Sequence, residues 1–169
     1  MQDGAVARTT VSDLDREAHI FAELYHPLRR FAAVVGPIEV DPDDLVQEAV
    51  AGVLRGKRLT DLNDPGAYLR KAILNLASNH RRHLAVRRRA LERLKADVRP
   101  ASDVYPSDLV DLLRLSSQAR AVLYLSEVEG FRYAEIARML GCSEAAARKR
   151  ALKARRRLRE ELTGEMADG

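Results

Sequence analysis

Tryptophan is absent from this chain of 169 residues, which carries only five Tyr and three Phe. So thin a supply of flat side chains argues against single-strand RNA-binding modules, which stack unpaired bases on aromatic rings. Cysteine is nearly absent as well. A lone Cys142 excludes an intramolecular disulfide and a cysteine-rich metal cluster, and it fits a reduced, cytoplasmic setting. His19, His26, His80 and His83 lack carboxylates at chelating spacing, so neither a metal nor any other cofactor is expected. Missing too is any run of about 18 apolar residues, the length a membrane span needs, and the opening stretch MQDGAVARTTVSDLDRE holds no apolar signal core. With no Walker loop, dinucleotide fingerprint or Ser-His-Asp set, no enzyme class is indicated.

What the chain has in abundance is Ala, Leu and Arg, a composition that favours helices over strands, so the expected fold is all-α. The formal net charge of +4 conceals an uneven distribution. Acid gathers in Glu39, Asp41, Asp43, Asp44 and Glu48, and base gathers between Arg81 and Arg93 and again between Arg148 and Arg159. Two basic surfaces and an acidic one imply more than one partner.

Apolar spacing divides the chain into two small helical domains joined by a flexible linker. Residues 1–14 are expected to be disordered. Over 15–95, Ile20, Phe21, Leu24, Leu28, Phe31, Ala32 and Val35 mark a first helix with Ser12 or Asp13 as its cap, kinked or divided at Pro27. A second helix from Asp41 or Pro42 to about Arg55 buries Leu45, Val46, Ala49, Val53 and Leu54 and turns Asp44, Gln47 and Glu48 outward. After the loop GKRLTDLNDPG a long third helix runs from Pro65 to about Lys95, with Tyr68, Leu69, Ala72, Ile73, Leu76 and Ala77 on its core side. Residues 96–106 read as linker, 107–163 as a second module with helices near 107–115, 117–129, 133–140 and 143–162, and 164–169 as a tail.

The second module ends in FRYAEIARMLGCSEAAARKRALKARRRLREEL. Tyr133, Ile136, Ala137 and Leu140 form the inner face of a short helix, Gly141 suits the left-handed end of that helix, and Ser143 caps the next. Small residues at Ala137, Ala147 and Ala151 permit the close approach of a helix-turn-helix. Arg148, Lys149, Arg150, Lys153, Arg155, Arg156, Arg157 and Arg159 follow with no acid between Glu144 and Glu160. Such a run repels itself, and a polyanion compensates it. Position on the helix puts Glu144, Arg148, Lys149 and Lys153 nearest base edges in the major groove, with Arg155, Arg156, Arg157 and Arg159 nearer phosphates.

This stretch resembles region 4 of the extracytoplasmic-function sigma factors, the small specificity subunits of bacterial RNA polymerase. DPDDLVQEAVAGVL is similar to that family's region 2 signature, and PGAYLRKAILNLASNHRRH to its regions 2.3 and 2.4, with Tyr68 where Trp is usual. The resemblance implies that Asp44, Gln47 and Glu48 face core RNA polymerase, and that Asn75 and Asn79 lie beside a melted −10 promoter element. Lys57, Arg58 and Asn63 of the loop and Arg82 of the helix are the other candidates for −10 DNA, and the recognition helix reads the −35 element. It implies further an anti-sigma partner, and a linker that threads toward the polymerase channel. The loop 57–64 has no aromatic residue to wall a flipped-base pocket, and the opening of region 4 reads LSSQAR, both departures from the family pattern. A stand-alone helix-turn-helix regulator that binds an operator as a dimer is the alternative, but it leaves the acidic helix unexplained.

Overall fold

The computed structural model describes residues 3–94, 112 and 114–165. Its helices are α1 (Asp3–Val35), α2 (Pro42–Leu54), α3 (Pro65–Leu94), α4 (Ser117–Leu123), α5 (Tyr133–Leu140) and α6 (Glu144–Glu165), with a 3-10 turn at Leu59–Asp61 and a π-helical turn at Tyr124–Val128. No strand occurs among the described residues, so the all-α expectation holds. The expected linker at 96–106 and most of the expected helix at 107–115 lie outside the described residues.

Local chemistry accounts for the helix ends. Asp41 caps α2 by accepting from the Asp43 N–H at 2.8 Å, with Pro42 in the first turn. Asp64 does the same for α3, accepting from the Ala67 N–H at 2.8 Å ahead of Pro65. Ser116 and Ser143 cap α4 and α6 through the N–H groups of Ala119 and Ala146.

Two corrections concern α1. It starts at Asp3, so the stretch expected to be disordered over residues 1–14 is helical from that point, and Ser12 and Asp13 lie inside the helix rather than capping it. Pro27 also sits within a continuous helix instead of dividing it. Asp13 serves instead as an anchor. Its carboxylate pairs with Arg58 at 2.9 Å, while Glu17 accepts from the Leu59 N–H at 3.1 Å. Together they pin the loop after α2 onto α1.

The first module is a three-helix bundle. Leu28, Phe31, Ala32 and Val35 of α1 pack on Leu45, Val46, Ala49 and Val53 of α2 and on Leu69, Ile73 and Ala77 of α3. Tyr68 departs from its expected place in that core and is 41% exposed. It lies on the side of α3 away from Leu69 and Ile73, the limit of a periodicity argument at the first turn of a helix.

In the second module the small residues behave as anticipated. Ala147, Ala151 and Ala154 of α6 are buried against α4 and α5 together with Ile136, Ala137 and Met139. The helix expected through Glu129 widens after Leu123 into a π turn closed by the Glu129 N–H on the Tyr124 carbonyl at 3.1 Å. Tyr124 there reaches the ring of Phe31 in α1, centroids 6.1 Å apart. The two cores are thereby continuous.

One carboxylate ties α1 to the start of α2. Asp43 accepts from the Tyr25 hydroxyl at 2.5 Å and from Arg29 Nε at 3.1 Å, and these bonds, the tyrosine's first, hold its pKa below the ordinary 3.8. A depressed acid adds stability that is complete above its unfolded pKa and is lost as pH falls through its folded one. Urea unfolding of Asp43→Asn is therefore expected to lose less stability than the wild type between pH 7 and pH 3; equal losses would show that Asp43 contributes nothing to the acid limb. A second expectation concerns packing: Ala151→Leu should cost about 1–3 kcal/mol by prising α6 from its neighbours, read as a lower urea midpoint.

Candidate nucleic-acid interface

Gly141 ends α5 with φ +68°, and the following N–H of Cys142 returns to the Ala137 carbonyl at 3.0 Å. Only a residue without Cβ takes that left-handed turn without strain. Glu135 steadies the front of α5 by accepting from the Arg132 N–H at 2.8 Å, the leading cause of its lowered pKa. Between them the chain reverses within three residues and starts α6 from the Ser143 cap.

With Ala147, Ala151 and Ala154 buried, helical periodicity turns Ala145, Arg148, Lys149, Leu152, Lys153 and Arg156 to the opposite side, and all six are exposed. The two acids that bracket the basic run are engaged with it. Arg148 donates to Glu144 from Nη2 at 2.6 Å and from Nε at 3.0 Å, and Arg156 donates to Glu160 at 2.6 Å. Arg148 also lies 5.4 Å from the Tyr133 ring centroid. Its guanidinium is thus held ready at the head of the helix. Arg157 and Arg159 are exposed on the same helix.

Arg155, expected among the DNA contacts, donates to the Tyr133 hydroxyl at 2.9 Å and pairs with Glu127 of the π turn, its side chain half-buried. The pairing raises the arginine's pKa and lowers the glutamate's. Arg155 is a brace between α6 and the rest of its module. Leu152, 68% exposed among the cations, is an apolar residue on that outer face that a search for charge passes over.

On the first module one stripe of α3 carries the expected −10 candidates. Asn75, Asn79 and Arg82 are exposed and recur at helical spacing with Tyr68 and Lys71. Arg82 donates to the Asn79 side chain at 3.2 Å. Lys57 lies over the Tyr68 ring, 5.0 Å from its centroid, and Asn63, Asp64, Tyr68 and Lys71 line one wall of a groove. The aromatic surface missing from the loop is supplied by the first turn of the helix. Arg58, another expected −10 contact, pairs with Asp13 and with Glu17 at 3.5 Å and fastens the loop to α1.

The acidic face stands where expected. Asp44, Gln47 and Glu48 are exposed on the side of α2 opposite Leu45, Val46 and Ala49, and Glu48 lies 3.2 Å from His80 of α3. Asp43, beside them, faces α1. The described residues contain no group of His, Cys, Asp and Glu able to hold a metal.

The two arginines of α6 separate by experiment. Arg155→Ala should lower the unfolding midpoint and weaken DNA binding only through lost structure, while Arg156→Ala should leave the midpoint unchanged and reduce affinity for duplex DNA together with its salt dependence by about one phosphate contact. If Arg156→Ala keeps the full salt slope, its guanidinium is not on the DNA.

Residues 112–158 match the sigma-70 region 4 family. No curated protein matches the chain by sequence. Among solved structures, the sigma factor RpoE of Bartonella quintana, in complex with the anti-sigma factor NepR, is similar at a TM-score of 0.60 and 21% identity, over 86% of this chain and 96% of that one. The chain accordingly has the helical fold of a sigma factor and carries a sigma-70 region 4 over residues 112–158.

Proposed function

We propose that this protein is a sigma factor of the extracytoplasmic-function type, a non-catalytic subunit that joins core RNA polymerase to selected promoters. The observation that carries the reading is the pairing, in one fold, of a region 4 helix-turn-helix whose basic face is exposed with a separate helix whose exposed face is acidic. A DNA-binding module alone has no use for the second surface.

Each surface takes one role. Glu144, Arg148, Lys149, Leu152 and Lys153 read base edges of duplex DNA at the −35 element, where paired guanidinium N–H groups match the acceptors of guanine. Arg156 and Arg157 neutralise phosphates and set the register. Lys57, Asn63, Tyr68, Lys71, Asn75, Asn79 and Arg82 take the melted −10 strand, with Tyr68 as the stacking surface for an unpaired base and the amides as its polar edge. Asp44, Gln47 and Glu48 dock on a basic surface of the polymerase.

The Bartonella relative is bound to an anti-sigma factor, and an inhibitor of that class is the further partner proposed for this chain. No helix among the described residues is long and apolar enough to cross a membrane, and the proposed site of action is the cytoplasm.

Run-off transcription with purified core polymerase, with and without the chain, tests the reading across candidate promoters. Specific transcripts are expected only when the chain is present; the absence of both stimulation and core binding would overturn the reading. Glu48→Lys should weaken core binding at least tenfold while leaving duplex binding by α6 intact, and normal core binding by this variant would remove α2 as the docking surface.

A further inference from the structure

Positive charge also gathers around a cavity to which α6 contributes nothing. A space of about 270 Å³ is lined by Arg81 and Arg88 of α3, Arg120 of α4 and Glu39 of the segment after α1. None of these residues belongs to the surfaces proposed for promoter or polymerase. Arg120 is 2% exposed and forms the inner end of the cavity, whereas the exposed Arg88 and Glu39 pair at its rim.

The inner guanidinium is held by hydrogen bonds that do not cancel its charge. Arg120 donates from Nη2 to the carbonyls of Val35 at 2.8 Å and Gly36 at 3.0 Å, and its Nε is buried without a hydrogen-bond partner. Arg81 donates from Nη1 to the Leu115 carbonyl at 2.6 Å, which fixes a second guanidinium beside the first. Burial, and repulsion from Arg81, lower the pKa of Arg120 to about 10. An anion seated against both would offset the lost solvation and the repulsion alike.

The lining selects the kind of anion. Guanidinium forks match the oxygens of a phosphate in pairs. Among the lining side chains three guanidiniums stand against one carboxylate, an excess that suits the charge of about −1.5 to −2 on a phosphate monoester at neutral pH. Pro37, Ile38 and Leu84 complete the lining as an apolar wall, with Ile38 45% exposed. The volume lies just under the roughly 300–1,000 Å³ usual for small-molecule sites, so the body of the ester must be compact. An inner guanidinium so deeply buried is out of reach of the backbone of a DNA duplex.

We propose that this cavity binds a small phosphate monoester, its phosphate on Arg81, Arg88 and Arg120 and its apolar body on Pro37, Ile38 and Leu84. Glu39 competes with the ligand for Arg88 and gives way when the ligand enters. Because the lining comes from the segment after α1, from α3 and from α4, an occupied site stabilises the folded chain as ligand concentration rises.

The test is calorimetric titration of the full chain at constant ionic strength and about pH 8, where a monoester is fully ionised. The probes are phenyl phosphate, inorganic phosphate and the singly charged benzenesulfonate. Phenyl phosphate should saturate one site and bind more tightly than either of the others. Arg88→Gln should weaken it about tenfold, and Glu39→Gln should tighten it by removing the competing carboxylate. Arg87→Gln, exposed on the same helix and outside the lining, should change nothing. Arg120 is left in place because it also holds the end of α1. The absence of saturable phenyl phosphate binding would overturn the site, as would equal weakening by Arg87→Gln and Arg88→Gln, the mark of diffuse attraction to a basic helix. Equal affinity for benzenesulfonate would overturn the monoester assignment, and displacement of phenyl phosphate by a short DNA duplex would overturn the small-molecule one.

Discussion

A guanidinium removed from water at the junction of two helical cores is the constraint around which this molecule is arranged. Arg120 is a large side chain and among the most deeply buried, and it ends on the carbonyl of Val35, the last residue of α1, and on that of Gly36 just beyond it. Burial, with Arg81 adding repulsion, pushes its pKa down to about 10, which still leaves a cation at neutral pH. A buried cation needs a polar partner of fixed geometry, and the helix terminus provides one. The consequence is that α4 docks where α1 stops. Tyr124 then meets Phe31, Glu129 meets Arg70, and α5 comes down beside the first turn of α3.

The functional surfaces depend on packing decisions made by much smaller residues. Ala147, Ala151 and Ala154 let α6 lie close to its neighbours, and the same placement turns Arg148, Lys149 and Lys153 to solvent. Charge is then sorted by contact. Arg155 is consumed by Glu127 and Tyr133, while Arg148 and Arg156 are steadied by the acids at either end of the run. In the first module Asp13 and Glu17 sort the loop in the same way, taking Arg58 and leaving Lys57 over Tyr68. A basic cluster in sequence is thus divided between cations that brace other elements and cations on the exposed face.

That division marks how much of the site is legible in the chain alone. The turn at Gly141, the cap at Ser143 and the outward face of Asp44, Gln47 and Glu48 follow from local rules, because each depends on residues within one helical turn or on a simple periodicity. Arg58 and Arg155 escape those rules because their partners, Asp13 and Glu127, lie far away in sequence. Tyr68 escapes them for a related reason. At the first turn of a helix, an apolar pattern does not say whether a neighbouring element buries the ring, and the ring stays exposed.

The sequence by itself determined the helical class, the helix-turn-helix, the acidic face of α2 and the resemblance that links them, since composition, capping residues and a 3.6-residue period are properties of a short stretch of chain. Tertiary structure decided which arginines brace other elements, that the Tyr68 ring stays exposed beside the loop, and that the two modules close on each other. Those outcomes turn on contacts such as Arg120 with Val35, 85 residues apart. Whether a buried cation finds a carbonyl at that distance depends on how the helices are placed in space, which no local pattern carries.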